Sequence, residues 1–458
     1  MPSTLRAQAV GACCAPFTGY TLRPSPLKHK TRCISHFKLG DEFLKYFSQH
    51  QQSIQNLHIE QCDPSLLTQK SLRSVSAHFY LPTHKCHIFE EFTKRLPFLV
   101  SLSLIFWGGW TQEVVEYWTQ NKINYLDGHK TRAQSLHLSG CMPVSFTRAV
   151  PKLFDLSALT QLSLFDCNLW LLLENIALAP ELTHLTHFEC STRDMITTEH
   201  VLQDFFRRNA RLKHLRLSLC MLSHLRMRSP SRPADEEILA RGVLIWPLRG
   251  KLRTLSWHDC QPTQATEGPF DDDQGYLPRQ SLDWICRDFP HLQQVGFKAP
   301  ERLISRKTGS SLRCNSLRHY FVRLNDLRLV HLYQDRAKPV QPEFARSTDK
   351  VVTDLQQFAT MFFQQTHKNS PRLDVLIWGM HGEATELDKE IARELGDGSF
   401  EIIPQIFFVK RRSQEESGAF VINASITTRS RLRDEFPDLD MLAHDPRFRE
   451  LDRQMARV

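Results

Sequence analysis

Leu159 to Cys167 reads LTQLSLFDC, and two further stretches repeat its frame: LKHLRLSLC at 212–220 and LRTLSWHDC at 252–260. All three follow L-x-x-L-x-L-x-x-C, with one aromatic replacement at Trp257. Looser copies start at Ile54, Leu72, Leu99, Ala133, Leu182, Leu292, Leu324 and Leu373. The eleven starts recur about every 32 residues, enough chain for one strand and one helix per repeat. Segments between the frames carry helical periodicity: EHVLQDFFRRN at 199–209 and SLDWICRDF at 281–289 place apolar residues three and four apart. Pro97, Pro180, Pro290 and Pro371 each stand two residues before a frame, where a proline ends a helix and hands the chain to a strand.

Within a frame the first, fourth and sixth residues point into the stack and the residues between them point out, following the period of two. One repeat cannot bury its leucines alone; neighbours stacked at the strand spacing of ~4.8 Å make a continuous core. The ninth place holds cysteine six times, at Cys62, Cys141, Cys167, Cys190, Cys220 and Cys260. A small side chain with a weak S–H donor suits a buried turn out of a strand, so these cysteines read as a structural ladder. No C-x-x-C pair occurs and their spacing is the repeat spacing, which disfavours a metal or disulfide framework.

These nonapeptides resemble cysteine-containing leucine-rich repeats, especially those of fungal F-box/leucine-rich-repeat proteins, over roughly Ile54 to His381. The resemblance implies an α/β fold: a leucine-rich-repeat solenoid, a curved horseshoe of about eleven repeats with one strand and one helix each. It further implies a protein substrate captured on the concave face, and an F-box that recruits a cullin-RING ubiquitin ligase through its adaptor. No F-box is evident. Residues 1–40 are rich in Pro and Gly and read as a basic, unstructured leader; Asp41 to His50 reads as the helix of a capping half-repeat. The repeats are assigned to 41–398. In 399–458, FEIIPQIFFVK (400–410) and AFVINASIT (419–427) predict a β-hairpin, and Arg429 to Phe436 a short helix stopped by Pro437, together capping the end of the stack.

The chain of 458 residues has globular composition and a formal charge of +8. Six basic side chains and no acid lie in residues 1–40 (Arg6, Arg23, Lys28, Lys30, Arg32 and Lys38), so the remainder is nearly neutral. A phosphate-neutralising face is not indicated, and nucleic acid is not the expected partner. No apolar run reaches the length of a membrane span. There is no Walker loop, dinucleotide fingerprint, nucleophile elbow or H-E-x-x-H. The expectation is a monomeric binding protein of the cytoplasm or nucleus, without catalytic residues, cofactor or metal. A GTPase-activating leucine-rich-repeat protein, which would donate an arginine, is the enzyme class closest to this architecture.

Outward positions nominate the ligand contacts. His137 and Arg216 are fifth residues of their frames; Phe165, Phe188 and His258 are seventh; Asp166, Glu189 and Asp259 are eighth. Two phenylalanines on adjacent repeats, flanked by acids and an arginine, would form an anchoring patch for a protein partner. Longer repeats add loops at 226–235, 262–280, 298–313 and 334–349, which are secondary candidates for partner contact.

Overall fold

The structure is a computed structural model, and it describes residues 31–34, 56–59, 73–80, 98–107, 130–140, 142, 144–165, 167–177, 182–192, 195–219, 244–259, 279–298, 321–333, 348–379, 406–414, 420–439 and 441. The chain is mixed α/β and divides into two compact units, Met1–Thr192 and Arg193–Val458. Among the described residues no helix is long and apolar enough to cross a membrane.

Among the described residues of the first unit there are seven strands: β1 (Thr31–Ile34), β2 (Asn56–Ile59), β3 (Ser74–Tyr80), β4 (Phe98–Trp107), β5 (Arg132–Gly140), β6 (Gln161–Phe165) and β7 (His187–Thr192). Each pairs in parallel with the next in chain order. Strand β1 lies inside the stretch expected to be an unstructured leader; Arg32 stands opposite Leu57 and Ile34 opposite Ile59. Fourth and sixth frame residues stack as rungs: Leu102, Leu136 and Leu162 in one row, Leu104, Leu138 and Leu164 in the next, all buried. Each such leucine contributes about 1.5–3 kcal/mol by leaving water. Helix α1 (Val144–Leu153) packs against α2 (Leu169–Ala177), whose Asn168 accepts from the Leu171 N–H at 3.1 Å and caps the helix start. Gly140 ends β5 at φ +94°, and a Cβ there would sit 1.9 Å from the Phe106 carbonyl oxygen, so no other residue fits.

In the second unit, β8 (His214–Leu219), β9 (Thr254–Asp259), β10 (Gln294–Lys298), β11 (Leu329–Tyr333) and β12 (Val375–Trp378) are again parallel neighbours in chain order. The hairpin forms β13 (Ile406–Gln414) and β14 (Phe420–Thr427), extending this sheet antiparallel to β12. Helix α3 (Met195–Arg208) and α4 (Arg279–Asp288) confirm the two helical segments read from periodicity. Helix α5 (Thr348–Thr366) runs along the last strands. Its Gln356 and Gln364 donate to the carbonyls of Ala424 and Ile422, both at 2.9 Å, and the Ala424 N–H donates to Thr360 Oγ1 at 3.0 Å. These three residues are four apart on one helix face. They satisfy backbone groups of an edge strand that would otherwise template pairing with another chain.

A turn recurs before the strands. Leu159, Leu185, Leu212, Leu292, Leu327 and Leu373 each donate a backbone N–H to the residue three earlier. The next residue then donates to its counterpart in the preceding repeat: Thr186 to Thr160, Gln293 to Arg253, Arg328 to Gln293 and Asp374 to Arg328. This pattern corrects two frames. The repeat read from Leu182 starts structurally at Leu185, and the one read from Leu324 starts at Leu327, a slip of three residues in each. Leu162 accordingly stands opposite Phe188, and Val295 opposite Val330.

The helix α6 (Arg429–Glu435) begins at Thr428, whose hydroxyl accepts from the Arg431 N–H at 3.4 Å. It was expected to close the end of the stack. Instead it lies on the outward face of the sheet, because the outward residues of β11–β13 are apolar and must be covered. Leu329, Val375, Ile377, Phe407 and Val409 cluster with Leu432 and Leu439, while Phe436 and Met441 pack against them.

Candidate functional site

Each unit presents the residues between its buried rungs as an outward face, and the two faces differ in chemistry. In the first unit the third-position row is Ser101, Ser135, Gln161 and His187, and the fifth is Ser103, His137, Ser163 and Glu189. All eight are partly exposed. Strand pairing holds the rows at ~4.8 Å intervals. Ser163 Oγ donates to Glu189 Oε2 at 3.4 Å, and the His137 ring lies 5.4 Å from that of Phe165, centroid to centroid. His187 Nδ1 lies 2.8 Å from Thr186 Oγ1. This is a polar surface of hydroxyl, imidazole and carboxylate groups beside one aromatic ring, equipped to hydrogen-bond a ligand laid across the strands.

Three nominated residues, His137, Phe165 and Glu189, are thus brought together on β5–β7. Phe165 is itself buried at the edge of that face. Glu189 is at the fifth position, not the eighth, because of the three-residue slip. The same slip overturns the assignment of Phe188. It is 0 % exposed and forms a rung opposite Leu162, so it is a core residue and no ligand contact. Arg216 lies on β8 in the second unit, partly exposed, in register with Ser256. His258 and Asp259 lie on β9 opposite Ser218 and Leu219. Asp166 lies outside the described residues, as do Cys62, Cys141, Cys220 and Cys260 and most of the four candidate loops.

The two remaining ladder cysteines do not share a position. Cys167 follows β6 and is partly exposed, whereas Cys190 is a sixth-position rung opposite Leu164, fully buried. Burial pushes the Cys190 thiol well up from its ordinary range, with Cys167 and Glu189 adding to the shift. On α4, burial pushes Cys286 up to about 12. Neither is a thiolate nucleophile at neutral pH.

From β9 onward the outward face of the second unit is covered by its own chain. Tyr333 on β11 crosses over Gly296 on β10 to reach β9, where its hydroxyl lies 2.5 Å from Ser256 Oγ. His331 packs on the Tyr333 ring at 4.1 Å between centroids, and its Nε2 lies 3.1 Å from the Gly379 carbonyl oxygen. The Met441 N–H donates to Gln294 Oε1 at 2.9 Å, Asp438 pairs with Arg328, and Glu435 pairs with Arg411 through both carboxylate oxygens at 2.6 and 2.8 Å. The Arg411 guanidinium holds the Glu435 carboxyl below its ordinary range. None of Ser256, Gly296, Tyr333 or Met441 was nominated from sequence. The signal available was the apolar character of Val375 and Ile377 at outward places in the frame LDVLIWGMH.

No family model matches the chain, and no curated protein matches it.

Proposed function

We propose that the protein is a leucine-rich-repeat solenoid that binds a protein substrate, acting as the substrate-recognition subunit of a cullin-RING ubiquitin ligase. The observation that carries the binding role is the outward row His137–Ser163–Glu189, set beside Phe165 on three consecutive parallel strands. Its side chains are small or polar and partly exposed, whereas the inward rungs on the same strands, Leu136, Leu138, Leu162, Leu164, Phe188 and Cys190, are sealed from water. A strand array with a polar face suits recognition by hydrogen bonds across a broad surface. The ligase connection comes from the resemblance of the nonapeptides to F-box/leucine-rich-repeat proteins, which supply proximity to the transferring enzyme and no chemistry of their own.

The test is affinity purification of the full chain, wild type and His137→Ala/Glu189→Ala, with mass spectrometry of what is recovered. The reading expects the cullin adaptor with both proteins and a substrate only with the wild type. Recovery of a substrate without the adaptor makes the chain a free-standing scaffold. Identical recovery with both proteins removes the face from the reading.

A further inference from the structure

The outward face of β10–β13 is covered by a segment of the same chain. Leu432 lies on α6, Phe436 is the residue that caps its C-terminal end and Leu439 follows the turn at Pro437; Met441 extends the contact. They lie on Leu329, Val375, Ile377, Phe407 and Val409. Polar contacts fix the direction: Glu435 on Arg411 at one end, Asp438 on Arg328 midway, and the Met441 N–H on Gln294 Oε1 at the other. The segment is not needed to terminate the sheet, because β14 is already the last strand and α5 satisfies its backbone.

We propose that this face is a docking groove for amphipathic segments of partner proteins, and that residues 428–441 are its resident, displaceable occupant. The partner segment carries apolar residues at i, i+4 and i+7, with an acid immediately before the last to meet Arg328. Binding in trans proceeds by exchange. The resident segment follows β14 without a linker, so its effective concentration is in the millimolar range or above. A partner segment with micromolar intrinsic affinity is then weakened about a thousandfold, until the resident segment is loosened. This inference rests on the reading that outward faces of the array receive protein ligands.

A labelled synthetic peptide of residues 428–441 is titrated by fluorescence anisotropy into the full chain, wild type and Leu432→Ala/Leu439→Ala. The double variant is expected to bind at least tenfold more tightly than the wild type. A peptide carrying the same two substitutions is expected to lose binding, and an Asp438→Lys peptide to be rescued by Arg328→Glu in the chain. Equal binding by the wild type and a double variant of unchanged circular dichroism overturns the proposal. Should that variant not fold, Arg411→Glu weakens only an exposed tether, and absence of any gain in peptide binding there overturns it equally. Loss of substrate capture through His137 and Glu189 leaves peptide exchange untouched, so the two readings fail separately.

Discussion

Gly296→Ala probes how tightly the second unit's outward face is closed. On an open strand, alanine in place of glycine is stabilising by about 0.5–1 kcal/mol, because the unfolded chain loses freedom. At position 296 the new Cβ would lie 2.8 Å from the Tyr333 hydroxyl, 3.2 Å from Tyr333 Cζ and 3.1 Å from Met441 Cε. The ring must move, and its hydroxyl is tied to Ser256 Oγ at 2.5 Å with both residues buried. Breaking that bond forfeits about 0.5–1.5 kcal/mol and leaves desolvated hydroxyls worth about 1–3 kcal/mol more. The clash therefore outweighs the propensity gain, and the net loss is about 1–3 kcal/mol. Tyr333→Phe removes the clashing oxygen. The double variant Gly296→Ala/Tyr333→Phe is then expected to fall short of the sum of the single losses by about 1 kcal/mol. Native-state hydrogen exchange at β9–β11 amides reads each opening free energy. Gly296→Ala with protection at or above wild type, or strict additivity in the cycle, refutes the packing described.

Gly140→Ala meets backbone where Gly296→Ala meets a side chain: left-handed φ and a carbonyl oxygen at 1.9 Å leave no relaxation, so thermal unfolding should reveal a loss larger than that at Gly296. Phe188→Ala is expected to destabilise by about 3–5 kcal/mol in urea unfolding, as a core deletion does, while His137→Ala leaves stability within about 0.5 kcal/mol. Gln356→Ala/Thr360→Ala/Gln364→Ala releases the β14 edge; the Ala424 amide should lose exchange protection and sedimentation should detect self-association. Ser157 and Arg132 hold the Asp155 carboxyl below its ordinary range, as Arg411 holds Glu435. A depressed folded pKa gives stability that is present above the unfolded value and lost as pH falls through the folded one. Stability should thus decline below pH about 4.5, and Asp155→Asn and Glu435→Gln should each flatten that decline in an acid titration.

Where one face of a strand is buried and the other wet, the sequence was readable. Ser135, His137 and Ser139 alternate with Leu136 and Leu138 on β5, so frame, register and face all follow from the period of two. The two misplaced frames fail for different reasons. LTHLTHFEC offers leucines at its first and fourth places, but its sixth would be His187. Starting at Leu185 instead puts Phe188 and Cys190 inside, and the apolar gain decides the register. On β11, Leu329, Val330, His331, Leu332 and Tyr333 are all buried. A strand covered on both faces has no alternation to read, and either register would bury as much. The candidate site inherited these errors: Phe188 went to the surface and Tyr333 escaped notice.

The cover over β11–β13 could not be read from the repeats, because it is a relation between distant segments. Repeat logic assigns every outward residue to solvent or ligand, and it makes Val375 and Ile377 anomalies: apolar groups at wet positions. Two resolutions exist for such an anomaly. Either the strand is misassigned, or another part of the chain lies on it. Trp378 and Leu376 occupy the inward places opposite Leu332 and Val330, which removes the first. The second requires an apolar stripe elsewhere with nothing of its own to bury against. Leu432, Phe436 and Leu439, following a hairpin that returns the chain to this sheet, meet that requirement. The polar row of His137, Ser163 and Glu189 makes no such demand, because hydroxyl, imidazole and carboxylate groups are at home in water.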